Sequence, residues 1–482
     1  MSSWLEKLAA RPQRAIVLLS LALLLAGNWI LPLTDRDETR FAEASREMIQ
    51  RGDFVVPWFN GAWRFDKPVL IYWCQIASYK VFGENPFAAR LPSVLFTTAT
   101  ALLLVRWGRK VADAKSAFVA GAMFVAGLHV AIIGRVATAD MAMVFFSTLA
   151  VVSGWELTRP ETAARKSWWV IFYITLALGF LAKGPVAWLP LGGMILGRVL
   201  RQNSFRLPWL ETLAGCAVTV ALAACWGVPA LQQTHGEYFA VGMGEHVFRR
   251  STGVIDGHGL AGMLGFVALL PLYFVTFFVS FFPWSTRVPA TLRRWWPTRR
   301  SDDLGWYLLA QAALVFAVFS LVKTKLPHYT LPAFPCVVLW LALQIRHEEN
   351  SFAWFGKRFV TLTIFIFALT LGGFSVAKNY LLTENLWRTV APQVRADTKV
   401  ACLGYTEPSL VWKFRGVTTN LVQLGDVSLA QDFLTNAPPL ILVLPARDAA
   451  QLARMKTDRQ FSVHGLDLVK FKNRDLTAIV RE

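Results

Sequence analysis

The sequence predicts a mainly α, polytopic membrane protein with a small C-terminal α/β domain outside the lipid. Three observations carry that reading. The 482-residue chain is 55% hydrophobic and 17% charged, against about 25% charge and 45–50% apolar residues in ordinary soluble domains. Its apolar residues gather in eleven long runs, near 15–33, 91–107, 115–134, 139–156, 168–182, 184–200, 209–229, 260–285, 304–322, 328–345 and 359–377. Basic residues fill every second gap between those runs, as they do in the cytoplasmic loops of membrane proteins. Eleven spans of about 20 residues account for roughly 220 positions, so more than half of the chain lies outside lipid and must do more than join helices.

The gaps set the orientation. With the N-terminus cytoplasmic, six inner segments hold 21 Lys and Arg, among them Arg106, Arg109, Lys110, Arg287 and Arg346, whereas four short outer loops hold six. Most of the net charge of +18 is therefore a topological signal rather than a nucleic-acid footprint. The first run follows Arg11 and Arg14 but is long and lacks a small-residue cleavage site, which reads as a retained span rather than a signal peptide. An odd number of spans then puts everything after about Lys378 on the outer side. The five cysteines show neither a disulfide framework nor a zinc spacing.

Between the first two spans, the outer loop from Thr34 to Arg90 carries eight acidic and eight basic residues. Asp35 and Glu38 read as a capping box for a helix that runs to Arg51 and stops at Gly52. Phe41, Met48 and Ile49 fall on one face of it, so the helix is expected along the membrane surface. A second helix is expected from Pro68 through Phe82, too short for a simple span and suited to an interfacial or re-entrant place. In the tail, strand-like runs at Lys399–Leu403, Leu440–Leu444 and Leu476–Val480 alternate with helical stretches such as Asp448–Met455. No motif there points to chemistry, so packing or acceptor orientation is the expected task.

Candidate chemistry sits at outer span ends. Asp37 follows the first span directly; it is either a first-turn acid favoured by the helix dipole or a base for an acceptor hydroxyl. Arg40, one turn on, is a surface partner for such acids. Asp66 and Lys67 open the second helix, where they pair and snorkel or, with the helix N-terminus, bind an anion. Asp140 lies in a very short outer loop with Arg135, and an ion pair between the two is the structural alternative. Lys183, His246, Arg249, Arg250, His258, Lys323, Lys325, His328 and Tyr329 complete the outer set. Cations and two acids on one face fit a cavity for a lipid phosphate with a carboxylate ready to deprotonate an acceptor. The histidines lack tight ligand spacing, so no essential metal is expected. No Walker-type loop is present, so a donor would be lipid-borne rather than nucleotide-borne.

At these residues a family resemblance becomes specific. The stretch from Asp37 to Met48, then Gly52-Asp-Phe-Val-Val-Pro, Phe65-Asp-Lys-Pro, Phe87-Ala-Ala-Arg-Leu-Pro-Ser, Ala137-Thr-Ala-Asp140-Met, Phe282-Pro-Trp-Ser and Lys323-Thr-Lys-Leu-Pro-His-Tyr resemble the aminoarabinose (4-amino-4-deoxy-L-arabinose) lipid A transferase family. These are polyprenyl-phosphate-dependent enzymes of the GT-C fold, related to protein O-mannosyltransferases. The resemblance covers residues 1–380, the membrane glycosyltransferase domain with its catalytic loop at 34–90, and leaves 381–482 as a soluble outer domain.

The resemblance implies that Asp37 and Asp140 are the two loop acids of catalysis and that Lys67, Arg40 and Tyr329 hold the carrier phosphate, with Arg249 or Arg250 beside them. It places Glu38, Asp66, His258, Lys323 and Lys325 as further pocket residues. Asp66 stands where the family commonly has Glu, and Arg64 where an aromatic is expected.

The implied function is an inverting glycosyltransferase of the bacterial inner membrane, active on the periplasmic face, taking a pentosyl or hexosyl group from undecaprenyl phosphate to lipid A or another envelope glycan or protein. No cofactor beyond the lipid-linked donor is implied. Two other classes stay open: a flippase of lipid-linked sugars, which would not need the long first loop, and a non-catalytic scaffold, which would tolerate loss of Asp37 and Asp140.

Overall fold

The computed structural model describes residues 2–34, 36–159, 164–200, 208–249, 262–418, 420–452, 458–468 and 470–482. Among the described residues each of the eleven apolar runs overlaps helix, the first only as far as Leu25. By length and composition, six of the described helices can cross a membrane, or up to eight if each of two bent pairs is one span; two shorter apolar helices, Ala114–Ala126 and Pro185–Gly197, add to these.

By compactness the chain forms two units. The first comprises Met1–Ala26, Phe65–Ile71 and Leu91–Ile366; the second comprises Gly27–Arg64, Tyr72–Arg90 and Phe367–Glu482.

The first unit is a helical bundle held by close backbone approach. Lipid tails are as apolar as leucine, so helices in a membrane associate through packing of small residues rather than through a hydrophobic drive. The helix Ala114–Ala126 is rich in Ala and Gly, and every side chain from Ser116 to Ala126 is buried. A Cβ on Gly121 would lie 2.7 Å from Val105 and 3.1 Å from Ile16, so three helices meet where only glycine fits. Arg135 does not pair with Asp140. It joins two helix ends instead, donating to the carbonyls of Leu23 at 2.8 Å and Ala26 at 3.0 Å at the end of Pro12–Leu25 and of Ala131 at 2.8 Å in Leu128–Ile133, because carbonyls left over at helix C-termini offer acceptors to a buried guanidinium.

The second unit joins the first-loop helix Asp37–Arg51 to a hairpin of β1 (Trp58–Phe59) and β2 (Ala62–Trp63) and to a sheet from the tail. That sheet contains β3 (Lys399–Leu403), β4 (Val422–Leu424), β5 (Leu440–Pro445), β6 (Arg459–Asp467) and β7 (Lys472–Arg481) in the order β4-β3-β5-β7-β6. β3 runs parallel to β4 and β5, while β5, β7 and β6 are antiparallel neighbours. All six residues of β5 are buried; Ile441 and Val443 enter one core and Leu440, Leu442 and Leu444 the other, as expected for a strand covered on both faces. Cys402 packs in the first of these cores, and burial pushes its thiol up to about 12.

The charged side of the first-loop helix is not left to solvent. Glu38, Glu43, Arg46 and Glu47 are buried together with Phe41 and Met48, so its charged side is enclosed rather than wet. The predicted capping box rests on Asp35, which lies outside the described residues; the helix begins at Asp37 after Arg36. Gly52 ends it as expected, in the left-handed region at φ 67°. The second helix starts at Leu70, two residues past Pro68.

Candidate active site

Helix ends place the charges of the first unit. Asp140 opens the helix Asp140–Thr158, and Lys183 closes the helix Arg165–Lys183, which packs against it. A carboxylate is favoured at a helix N-terminus and an ammonium at a C-terminus, by about 0.3–1 kcal/mol each. Gly184 stops the second helix at φ 77°, a conformation that side chains resist, and so holds Lys183 where the chain turns. Asp140 is 6% exposed. One of its oxygens accepts from Lys183 Nζ and lies 3.8 Å from His328 Nε2; the other accepts from Thr138 Oγ1 at 2.8 Å. The ring of Tyr329 lies 5.7 Å from the Lys183 ammonium.

Lys183 also lines a cavity of about 370 Å³ that Asp66 and Lys67 share. The rest of its wall is mostly apolar, with Phe65, Pro68, Phe180, Trp188 and Trp226 among its residues. Tyr238 donates to the Lys67 carbonyl at 2.8 Å, and Lys67 Nζ donates to the Asp66 carbonyl at 3.0 Å, so the backbone that carries both charges is held in place. The cavity reaches Val220 and Val228, exposed side chains of the helix Trp209–Gln233. Only 28% of that candidate span's apolar window is buried inside the protein, so two lysines meet an apolar cleft beside a lipid-exposed helix.

Of the other candidates in this unit, Lys323 is exposed and Arg249 is exposed and paired with Glu245 at 3.5 Å. Lys325 is buried, and its ammonium donates to the carbonyls of Phe319 and Ser320, which makes it a cap for the helix Asp303–Leu321. Arg250 and His258 lie outside the described residues. Among the described residues no three His, Cys, Asp or Glu side chains gather as a metal site.

Asp37, Glu38 and Arg40 belong to the second unit. Asp37 is exposed on the first turn of its helix, with Arg40 half-buried one turn later. Glu38 is fully engaged: Arg90 donates to both of its oxygens at 2.7 and 2.8 Å, and Thr34 donates through its backbone N–H at 2.9 Å and its hydroxyl at 2.8 Å. Glu38 is therefore an anchor for the helix start rather than an open pocket group.

Further along the same helix, Arg46 grips Glu43 through three hydrogen bonds between 2.6 and 3.1 Å. Glu47 accepts from the backbone N–H groups of Asn60 at 2.5 Å and Gly61 at 3.2 Å, the two left-handed residues of the hairpin turn. Burial raises both carboxyls above the ordinary value; for Glu43 the bonds and charge of Arg46 oppose the rise, and for Glu47 the two N–H donors do. Asn60 in turn exchanges hydrogen bonds with the Leu421 backbone, 2.7 and 3.1 Å, and Arg36 lies 3.8 Å from Glu407. Tail residues thus brace the helix that presents Asp37.

Sequence reasoning had Lys183 among the outer cations but gave it no partner; a basic residue in the last helical turn before Gly-Pro was the available signal. Nothing in the sequence pointed to Tyr238.

Comparison with known proteins adds the following. A family model described as dolichyl-phosphate-mannose-protein mannosyltransferase matches residues 66–227. An undecaprenyl phosphate-alpha-4-amino-4-deoxy-L-arabinose arabinosyl transferase of Aeromonas salmonicida is 30% identical over 359 residues, covering 71% of this chain and 63% of the relative. An uncharacterized protein of Aquifex aeolicus is 30% identical over 351 residues, 72% of this chain and 77% of the relative. The crystal structure of ArnT from Cupriavidus metallidurans bound to undecaprenyl phosphate has a like fold, with TM-score 0.77 at 17% identity over 96% of this chain and 97% of that one. The chain spans less than two thirds of the first curated relatives, 63% and 58% of their lengths.

Proposed function

The chain belongs to the aminoarabinose lipid A transferase family of GT-C membrane proteins, and from that premise we propose that it is an inverting glycosyltransferase that takes a sugar from a polyprenyl phosphate. The observation that carries the reading is the cleft of Lys67 and Lys183. A polyprenyl phosphate is an anion on a long hydrocarbon, and this cleft offers ammonium groups set in an apolar wall that reaches a lipid-exposed helix. A relative that acts on undecaprenyl phosphate-linked aminoarabinose and a like-folded protein that binds undecaprenyl phosphate support the same donor class.

In this mechanism the acceptor hydroxyl attacks the anomeric carbon as the bond to the phosphate oxygen breaks. Asp37 takes the proton from that hydroxyl, and the phosphate leaves with the bonding electron pair. Charge grows on the phosphate as the reaction proceeds, so cations already in place reward the transition state more than the ground state. Lys67 and Lys183 supply them from the cavity, and the family resemblance adds Arg40, Arg249 or Arg250 and Tyr329 as candidate phosphate ligands. Asp140 holds Lys183 by its charge and so acts as a positioning residue. Donor sugars of the aminoarabinose type are favoured over hexoses by the curated relatives, with lipid A as the acceptor. We further assign residues 1–380 to transfer and 381–482 to an outer supporting domain, with the N-terminus cytoplasmic and the site on the periplasmic face of the inner membrane.

The test is direct. Purified protein is mixed with undecaprenyl phosphate-aminoarabinose and lipid A, and products are read by mass spectrometry. A pentosaminylated lipid A is the expected product; donor that crosses vesicle membranes with no new glycoside would make the protein a flippase instead.

A further inference from the structure

A second cavity, of about 520 Å³, lies in the first unit at the opposite end of the helical segment Pro327–Ile345 from His328. It is unused by the proposed transfer reaction. Lys115, Arg346 and His347 line it with two carboxylates, Asp113 and Glu348, and both carboxylates are already committed. Glu348 is bound by Arg287 at 2.8 Å and by Arg294. Asp113 accepts from the N–H of Ser116 at 2.8 Å and from its hydroxyl at 2.7 Å, as the cap of the helix Ala114–Ala126. With Arg287 and Arg294, which hold Glu348 from outside the lining, four permanent cations, Lys115, Arg287, Arg294 and Arg346, stand against two engaged carboxylates, and the surroundings of the cavity are left electropositive.

Its donors are positioned as well as charged. Arg346 Nε donates to His347 Nε2 at 2.7 Å, which leaves the terminal nitrogens of Arg346 and the Nδ1 proton of His347 for a ligand. The Lys115 ammonium sits 4.1 Å over the ring of Phe352, which lines the same cavity. A planar guanidinium beside point-charge donors is the chemistry that binds phosphate.

The surroundings indicate where that phosphate comes from. Phe352 belongs to the helical segment Ser351–Tyr380, of whose apolar window only 22% is buried inside the protein, so the cavity borders a lipid-exposed surface. Trp354 on the same segment lies between Arg287 at 5.0 Å and Arg358 at 4.7 Å, and aromatic and basic residues of this kind mark a membrane interface. We propose that this cavity seats the phosphate of an anionic phospholipid headgroup, with the acyl chains along the exposed helix. Basic pockets between membrane helices recognise such headgroups by charge.

The full chain, purified in detergent, is mixed with equal amounts of dioleoyl phosphatidylglycerol and dioleoyl phosphatidylcholine, and retained lipid is read by native mass spectrometry. Wild type should prefer phosphatidylglycerol by about tenfold, and Lys115→Gln with Arg346→Gln should remove most of that preference. The pair Arg293→Gln with Lys357→Gln, exposed cations that do not line the cavity, should leave it unchanged. Equal retention of the two lipids, or the same loss in both pairs, would overturn the proposal. So would displacement of the retained lipid by inorganic phosphate at a concentration equal to the lipid's, which would make the ligand a free phosphate; wild-type circular dichroism shared by each variant shows that it is folded.

Discussion

Arg90 holds Glu38 by two hydrogen bonds, 2.7 and 2.8 Å, while its other N–H groups reach the carbonyls of Asn28 at 2.8 Å, Leu31 at 2.7 Å and Pro32 at 2.9 Å. One buried guanidinium thus ties the chain leaving the first span to the first turn of the helix that carries Asp37. Arg90→Ala would strand a carboxylate that is 2% exposed, a loss of about 3–5 kcal/mol for a broken buried pair. Thermal unfolding in detergent should show that loss. Lys at this position should recover less than half of it, because an ammonium cannot serve both carboxylate oxygens and three carbonyls.

Asp140 and Lys183 should be energetically coupled. Either Asp140→Asn or Lys183→Met alone leaves one buried charge without its partner, whereas the double variant removes both. A double-mutant cycle on unfolding free energy should give a coupling of about 1–3 kcal/mol. Additive losses would show that the contact is incidental.

Gly227 lines the cavity that Lys67 shares, and a Cβ built there meets nothing within 4 Å. Gly227→Phe should therefore fold and project a ring into the space assigned to the lipid carrier. KM for the donor should rise by at least about tenfold, in line with about 1.4 kcal/mol of lost binding, with the unfolding temperature within a few degrees of wild type. Unchanged donor kinetics would place the carrier elsewhere.

How far the sequence could be read differs from element to element. The apolar runs, the stop at Gly52 and three of the five tail strands were legible because they depend on local pattern. The partner of Asp140 was not: Arg135 is the nearest cation in sequence, but a helical hairpin brings back Lys183 from 43 residues away. The enclosure of the first-loop helix is hidden from the sequence for a related reason. Its charges looked solvated, yet their partners include the hairpin turn at Asn60 and Gly61, and the tail is bonded to that turn from 361 positions along the chain. Long-range satisfaction of buried charge leaves no local signature. Asp37 and Lys67, by contrast, are proposed from their place at outer span ends and from motif resemblance rather than from periodicity.

Glu47 gives a pH prediction. Burial raises its carboxyl above the ordinary 4.5, so the folded chain keeps a proton over a range in which the unfolded chain has lost it. Stability from this group is greatest below about pH 4.5 and declines as pH rises through the raised value. Glu47→Gln cannot titrate there. The unfolding free energy of wild type minus that of Glu47→Gln should fall as pH rises above the ordinary value of 4.5; a constant or growing difference would contradict the assignment.

The central claim is that Asp37 removes the acceptor proton. Asp37 is exposed and begins its helix, so Asp37→Asn should leave the fold intact. The decisive measurement is glycoside formation by Asp37→Asn in vesicles loaded with undecaprenyl phosphate-aminoarabinose and lipid A, alongside binding of the same donor. The account predicts turnover lowered by at least about a hundredfold with donor affinity within about twofold of wild type; turnover near the wild-type rate would contradict it.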